Sequence, residues 1–155
     1  MLKKILILNM ILVCFTSCIS TKSTIKNIDS SAIKPVIRED AYVLKEYADS
    51  KKYGYDQDYP INIGVIQDKN ESQYIGYFFK GITGPNGETL TYKKTDTCCP
   101  FPTKYNKMGG GLLFVYEVTW KGQTNPVKLH FNIYERGKIV CPIGLTIKNP
   151  SAKLP

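Results

Sequence analysis

The chain has 155 residues, with 21 lysines and arginines against 13 acids for a formal charge of +8, and it carries one histidine and five cysteines. That length suits one domain. Only Arg38 and Arg136 are arginines, so the guanidinium forks favoured at nucleic-acid and phosphate sites are scarce, and no nucleic-acid partner is expected.

Lys3 and Lys4 precede an apolar run, residues 5–15, broken only by Asn9. The run fits the apolar region of a secretory signal and falls short of the roughly 20 residues a spanning helix needs. Ser17 then stands directly before Cys18. A small residue ahead of cysteine suits the narrow site of lipoprotein signal peptidase. The expected organisation is therefore a signal peptide over 1–17, a lipid-anchored flexible tether over 18–35 and a β-rich domain over 36–155. The bilayer is the expected partner, through acylated Cys18. Two or three acyl chains hold far more firmly than one, at about 0.8 kcal/mol per buried methylene. Ile19 is not the aspartate that retains some lipoproteins in the inner membrane, and 20–26 lacks an acidic surface-export stretch. A periplasm-facing, outer-membrane location follows as the expectation. The tether, rich in Ser, Thr, Lys and Ile, has a reach of about 50 Å when extended.

From Ala41 on, strand patterns dominate. Residues 41–47 suit either a strand or a short amphipathic helix. Residues 53–60 read as a tyrosine-rich loop and 61–66 as a strand. Residues 74–82 read as a central strand, apolar on both faces. Gly84-Pro85-Asn86-Gly87 is a turn, with 88–94 returning as its hairpin partner. Residues 97–102 form an extended segment stiffened by proline, and the glycines at 109–111 open the strand 112–120. In 127–134, Val127, Leu129, Phe131 and Ile133 alternate with Lys128, His130, Asn132 and Tyr134. Residues 138–147 close a meander. The expected fold is mainly β, a single antiparallel sandwich or partial barrel.

With Cys18 acylated and Cys14 lost with the signal, the remaining thiols are Cys98, Cys99 and Cys141. An exported domain can form disulfides, and the pairs 98–99, 98–141 and 99–141 are all open. Because an adjacent pair closes a strained ring, a bridge from Cys98 or Cys99 to Cys141 is the simpler expectation. A zinc site from the three cysteines and His130 fits no ligand spacing such as C-x-x-C, so no metal or cofactor is expected. His130 sits on a polar strand face without an acid or thiol near it in sequence, and reads as a solvent-facing histidine with no catalytic role. The triple glycine lacks the Gly-Lys-Ser/Thr of a phosphate loop. Asp56 and Asp58 lack the further oxygens of a calcium loop. Tyr53, Tyr55 and Tyr59 lie where binding residues concentrate and are the candidate ligand-binding side chains, with glycans in view.

Several segments recur in order: Tyr53-Gly54-Tyr55 with Tyr59-Pro60-Ile61, Gly84-Pro85-Asn86-Gly87-Glu88, Cys98-Cys99-Pro100-Phe101, the stretch 109–113, Tyr116-Glu117-Val118-Thr119 and Pro142-Ile143-Gly144. In this the chain resembles a family of small, uncharacterised Bacteroidetes lipoproteins, over about residues 41–147. Cys141 stands outside the pattern. Members often carry the label 2-dehydro-3-deoxyphosphooctonate aldolase. That enzyme resembles a barrel of about 250 residues and must hold two anionic substrates with several converging cations. Two arginines, an export signal and 155 residues less 17, or 138, do not meet that need. The resemblance implies no activity and no catalytic residue. The leading expectation is a non-enzymatic accessory or structural subunit of an envelope assembly. Binding of glycans or anionic polymers is the alternative, and a thiol enzyme using Cys98 or Cys99 the third reading.

Overall fold

The computed structural model describes residues 23–66 and 70–148; the expected signal, Cys18 and the first residues of the expected tether lie outside the described residues. Among the described residues nine elements follow in order: β1 (Ile37–Arg38), β2 (Ala41–Tyr42), β3 (Ile61–Asn62), α1 (Glu71–Lys80), β4 (Ile82–Thr83), β5 (Thr91–Pro102), β6 (Gly110–Thr119), β7 (Val127–Asn132) and β8 (Thr146–Ile147).

The long strands β5, β6 and β7 pair antiparallel, and β3 joins β7 in parallel, giving a four-stranded sheet ordered β3-β7-β6-β5. Two ribbons, β1-β2 and β4-β8, complete the strand content of the described residues. The domain is mainly β, with sheets packed together and no closed barrel.

Successive strand side chains point to opposite faces, and β6 buries both. Phe114, Tyr116 and Val118 face the main core with Leu129 and Phe131 of β7. Leu113 faces the other way, into a smaller core with Ile25 and Phe101. Gly111 opens this second face: a Cβ there would stand 2.7 Å from the Tyr134 ring and 2.9 Å from the Phe101 ring. Those two rings meet edge-on at 6.0 Å.

Four expectations need correction. The strand expected over 74–82 is helical as far as Lys80, and Ile82 falls in β4. The buried residues of the helix, Ile75, Phe78 and Phe79, fall at i, i+3 and i+4, one face of a helix. A dense aromatic run hides that period, because the flanking Tyr74 and Tyr77 are apolar enough to imitate a second buried strand face. Glu71 in the first turn and Lys80 in the last suit the helix dipole. Phe78 and Phe79 meet Phe131 at 5.4 and 5.3 Å, which seats α1 on the sheet.

Second, residues 88–94 do not return along β4. The turn at Gly84–Gly87 forms, with Gly87 at φ 90, but Glu88 closes it. Its carboxylate accepts from the Asn86 backbone N–H and side-chain amide at 2.9 and 3.1 Å. β4 pairs instead with β8, and the chain from Thr91 pairs with β6. Third, residues 138–147 add no meander strand to the large sheet. They bridge Tyr47 at Cys141 and then supply β8.

Fourth, the segment expected as tether up to Pro35 is packed well before that point. Ile25 is 7% exposed. Asn27 Nδ2 donates to the Pro60 carbonyl at 2.8 Å, and Asn62 Nδ2 donates to Asn27 O and Oδ1, both at 3.0 Å. Asn132 Nδ2 donates in turn to Asn62 Oδ1 at 2.9 Å. Asn62 and Asn132 are almost wholly buried, and buried amides need such partners. The pattern of polar residues that reads as loose chain supplies one end of a buried amide ladder.

Candidate functional site

β5 is the outer strand of the sheet, and its ladder with β6 shifts register between Lys94 and Asp96 and again between Cys98 and Phe101. Inside the second bulge Cys99 takes φ 59, a left-handed conformation that side chains with a Cβ adopt sparingly. Cys98 and Cys99 are joined in a disulfide, and Cys141 is free. The expected bridge to Cys141 is therefore corrected. Cys141 belongs to the main core, whereas Cys99 packs beside Phe101 and Leu113 on the opposite face of the sheet. Burial pushes the Cys141 thiol up to about 12, which removes it from thiolate chemistry at neutral pH.

His130 is not simply solvent-facing. It is half-buried, and one of its ring nitrogens lies with the sulfurs of Cys98 and Cys99 in a set whose members are all within 4.8 Å of one another. The strand order explains this. His130 sits opposite Val115 on β6, on the face that Leu113 shares, and Leu113 sits opposite Cys98. The cysteines are 32 and 31 residues away in sequence, so only sheet pairing brings the three together. The loop at Gly54 holds the imidazole from the far side. The Gly54 carbonyl accepts the His130 backbone N–H at 2.7 Å and lies 3.3 Å from Nδ1.

The three candidate tyrosines divide. Tyr53 is buried; its hydroxyl donates to the Lys138 carbonyl at 3.0 Å and accepts from Val140 N–H at 3.2 Å, and burial drives its pKa upward. Tyr55 donates to the Ile143 carbonyl at 2.9 Å, and burial pushes it up to about 12. Both hydroxyls are engaged in tying the loop to the 138–143 segment. Tyr59 is half-buried, with the ammonium groups of Lys26 and Lys52 at 5.7 and 5.5 Å from its ring. Tyr53 and Tyr59 line an open groove of about 350 Å³ together with Asn27, Ile28, Tyr47 and Lys138; Tyr55 does not. Tyr47, half exposed on this rim, is a residue that sequence reasoning missed, since it reads as the end of a strand or helix. Asp56 and Asp58 pair with Lys52 and Lys26 at 3.8 and 2.8 Å. Their carboxylates thus face ammonium groups.

No family model matches the chain, and neither does any curated protein or solved structure.

Proposed function

We propose that this chain is a lipid-anchored protein of the outer membrane, periplasm-facing and related to the small Bacteroidetes lipoproteins it resembles. On this reading it works by docking as an accessory subunit rather than by turnover. The observation that carries the reading is an apolar ridge beside the N-terminal segment. Ile33, Val36 and Ile37 are 91, 61 and 43% exposed. Single exposed apolar residues are ordinary, but three within five positions of one segment are the clustered exposure that interaction surfaces use. Ile33 and Val36 also line a shallow groove of about 290 Å³ with Val43, Leu44 and Ile139.

The test is mild crosslinking of intact cells with a C-terminally tagged copy, followed by gentle detergent extraction and mass spectrometry. One stoichiometric membrane partner is expected, and its yield falls at least tenfold in Val36→Asp with the fold retained. A lone monomer, or capture indifferent to Val36→Asp, would sink the reading.

A second reading, binding of a glycan or anionic polymer, is favoured by the groove that Tyr47 and Tyr59 line near Lys26, Lys52 and Lys138. It predicts weaker glycan binding by both Tyr47→Ala and Tyr59→Ala at unchanged thermal stability. Unchanged affinity in both variants removes its basis.

A further inference from the structure

We propose that Cys98, Cys99 and His130 form a redox-gated site for one cuprous ion, closed as the disulfide and open as the dithiol. Three observations meet here. Two sulfurs and an imidazole nitrogen already lie within 4.8 Å of one another. A metal with thiolate bonds of about 2.3 Å and an imidazole bond of about 2.0 Å holds its donors roughly 3.5–4 Å apart. Opening the sulfur–sulfur bond and closing the imidazole inward reaches that spacing through side-chain rotation. All three residues are half-buried, so a reductant and an ion both have access. The two cysteines also sit at the bulge in β5, where Cys99 holds φ 59. Backbone kept in a sparsely populated conformation at a bulge is a feature that re-aims side chains.

The choice of ion follows from the donor set. Thiolates and imidazole are soft to borderline ligands that suit copper(I) and zinc. Zinc in closed sites takes four protein donors, and among the described residues the group has three. Two sulfurs and one nitrogen complete a trigonal cuprous site. The Gly54 carbonyl orients the ring: in the tautomer that donates from Nδ1 to Gly54, Nε2 keeps the lone pair a metal requires.

Gating is a balanced exchange. A dithiol reductant transfers two electrons and two protons to the Cys98–Cys99 disulfide; its own sulfurs close to a disulfide and both cysteines become thiols. Binding then replaces the two S–H protons, which leave to solvent, with two copper–sulfur bonds, while His130 donates its lone pair. In the oxidised state the sulfurs are bonded to each other, and neither is a thiolate ligand.

The test uses the full chain in detergent, reduced with a phosphine and desalted without oxygen. It is titrated against copper(I) held by bathocuproine disulfonate, whose colour reports transfer. The reduced chain is expected to remove one equivalent and the disulfide form none. His130→Gln is expected to weaken binding at least tenfold, with circular dichroism unchanged. Cys98→Ser/Cys99→Ser is expected to abolish binding, and Cys141→Ser to leave it intact. The proposal is overturned if the reduced chain takes no copper or if the disulfide form binds equally well. It is also overturned if the double serine variant still removes one equivalent, which would move the ion to Cys14, Cys18 or Cys141. A His130→Gln variant that folds and binds as the parent removes the imidazole, and with it the site as stated.

Discussion

Cys141 and the asparagine ladder show how single side chains set the conditions under which the fold survives. The folded Cys141 thiol titrates at about 12 against a usual value near 9.0, because burial disfavours its thiolate. The native state therefore holds this proton over a pH range where the unfolded chain has released it. Its contribution is fully present below pH 9 and is lost as pH rises from there toward 12, by about 1.4 kcal/mol per pH unit for one proton. Tyr42 and Tyr55, pushed up to about 12 by burial, steepen the loss above pH 10. Denaturant midpoints measured from pH 7 to 11 should fall only above pH 9, and Cys141→Ala should flatten the first part of that fall. The ladder is sensitive in a different way. Asn132→Leu leaves the Asn62 carbonyl oxygen and the Tyr134 N–H, now bonded at 2.9 Å each, without partners. Unsatisfied buried groups cost about 1–3 kcal/mol each. A loss of about 2–4 kcal/mol in urea unfolding is expected, with Asn132→Asp recovering little of it, since a carboxylate cannot donate to Asn62. A loss under 1 kcal/mol would show that the ladder is not a buried anchor.

At the scale of elements, the helix and the first hairpin offer opposite tests of backbone fit. Gly76 lies in the middle of α1, and a Cβ there would meet nothing nearer than the Tyr92 hydroxyl at 3.8 Å. Gly76→Ala should then stabilise by about 0.5–1 kcal/mol, since alanine fits the helix and loses less freedom on folding. A lower melting temperature would mean that Tyr92 needs this gap to stack on Phe79, which it does at 4.0 Å between ring centres. In the β1-β2 hairpin, Glu39 and Asp40 both take positive φ, 48 and 58. This is the primed turn whose twist matches the strands and which glycine tolerates best. Asp40→Gly should raise stability by about 0.5 kcal/mol, at the cost of an exposed pair with Lys80 at 3.7 Å that contributes little.

These elements also mark where sequence reasoning succeeds. Strand β7 was legible because Val127, Leu129 and Phe131 alternate with polar neighbours, and β6 because a long β-branched and aromatic run follows the glycines. The helix was not, since its aromatics occupy the flanks as well as the buried stripe. Of the cysteine–histidine group, the sequence names every member and hides their meeting. The sheet pairing that joins β5 to β7 through β6 is non-local, and no interval along the chain encodes it. Tyr53 and Tyr55 were legible as loop residues, whereas the burial of their hydroxyls depends on the 138–143 segment more than 80 positions away.

At the scale of the molecule, the packed N-terminal segment limits what the proposed anchor at Cys18 would allow. Were the chain free up to Pro35, an acylated Cys18 would let the domain stand tens of ångströms from the headgroups. Ile25 is instead built into the second core, and Lys26 N–H donates to the Asp58 carbonyl at 2.8 Å. Five residue steps separate Cys18 from Ser23, a reach of at most about 17 Å. An anchored domain is therefore held near the bilayer, and the apolar ridge at Ile33, Val36 and Ile37 lies only a few residues beyond the packed strand of chain. This geometry is open to measurement in vesicles. With the acylated protein carrying a donor dye at exposed Ser31 and an acceptor in the headgroups, energy transfer should be strong. Ile25→Asp/Asn27→Ala, which deprives the segment of its apolar seat and of its bond to Pro60, should release more chain and lower the transfer severalfold. The same variant should lose the second core's protection, so that protease cleaves between residues 25 and 35, where the parent resists. Equal transfer and equal resistance in parent and variant would show that the segment is not the element that fixes the height of the domain.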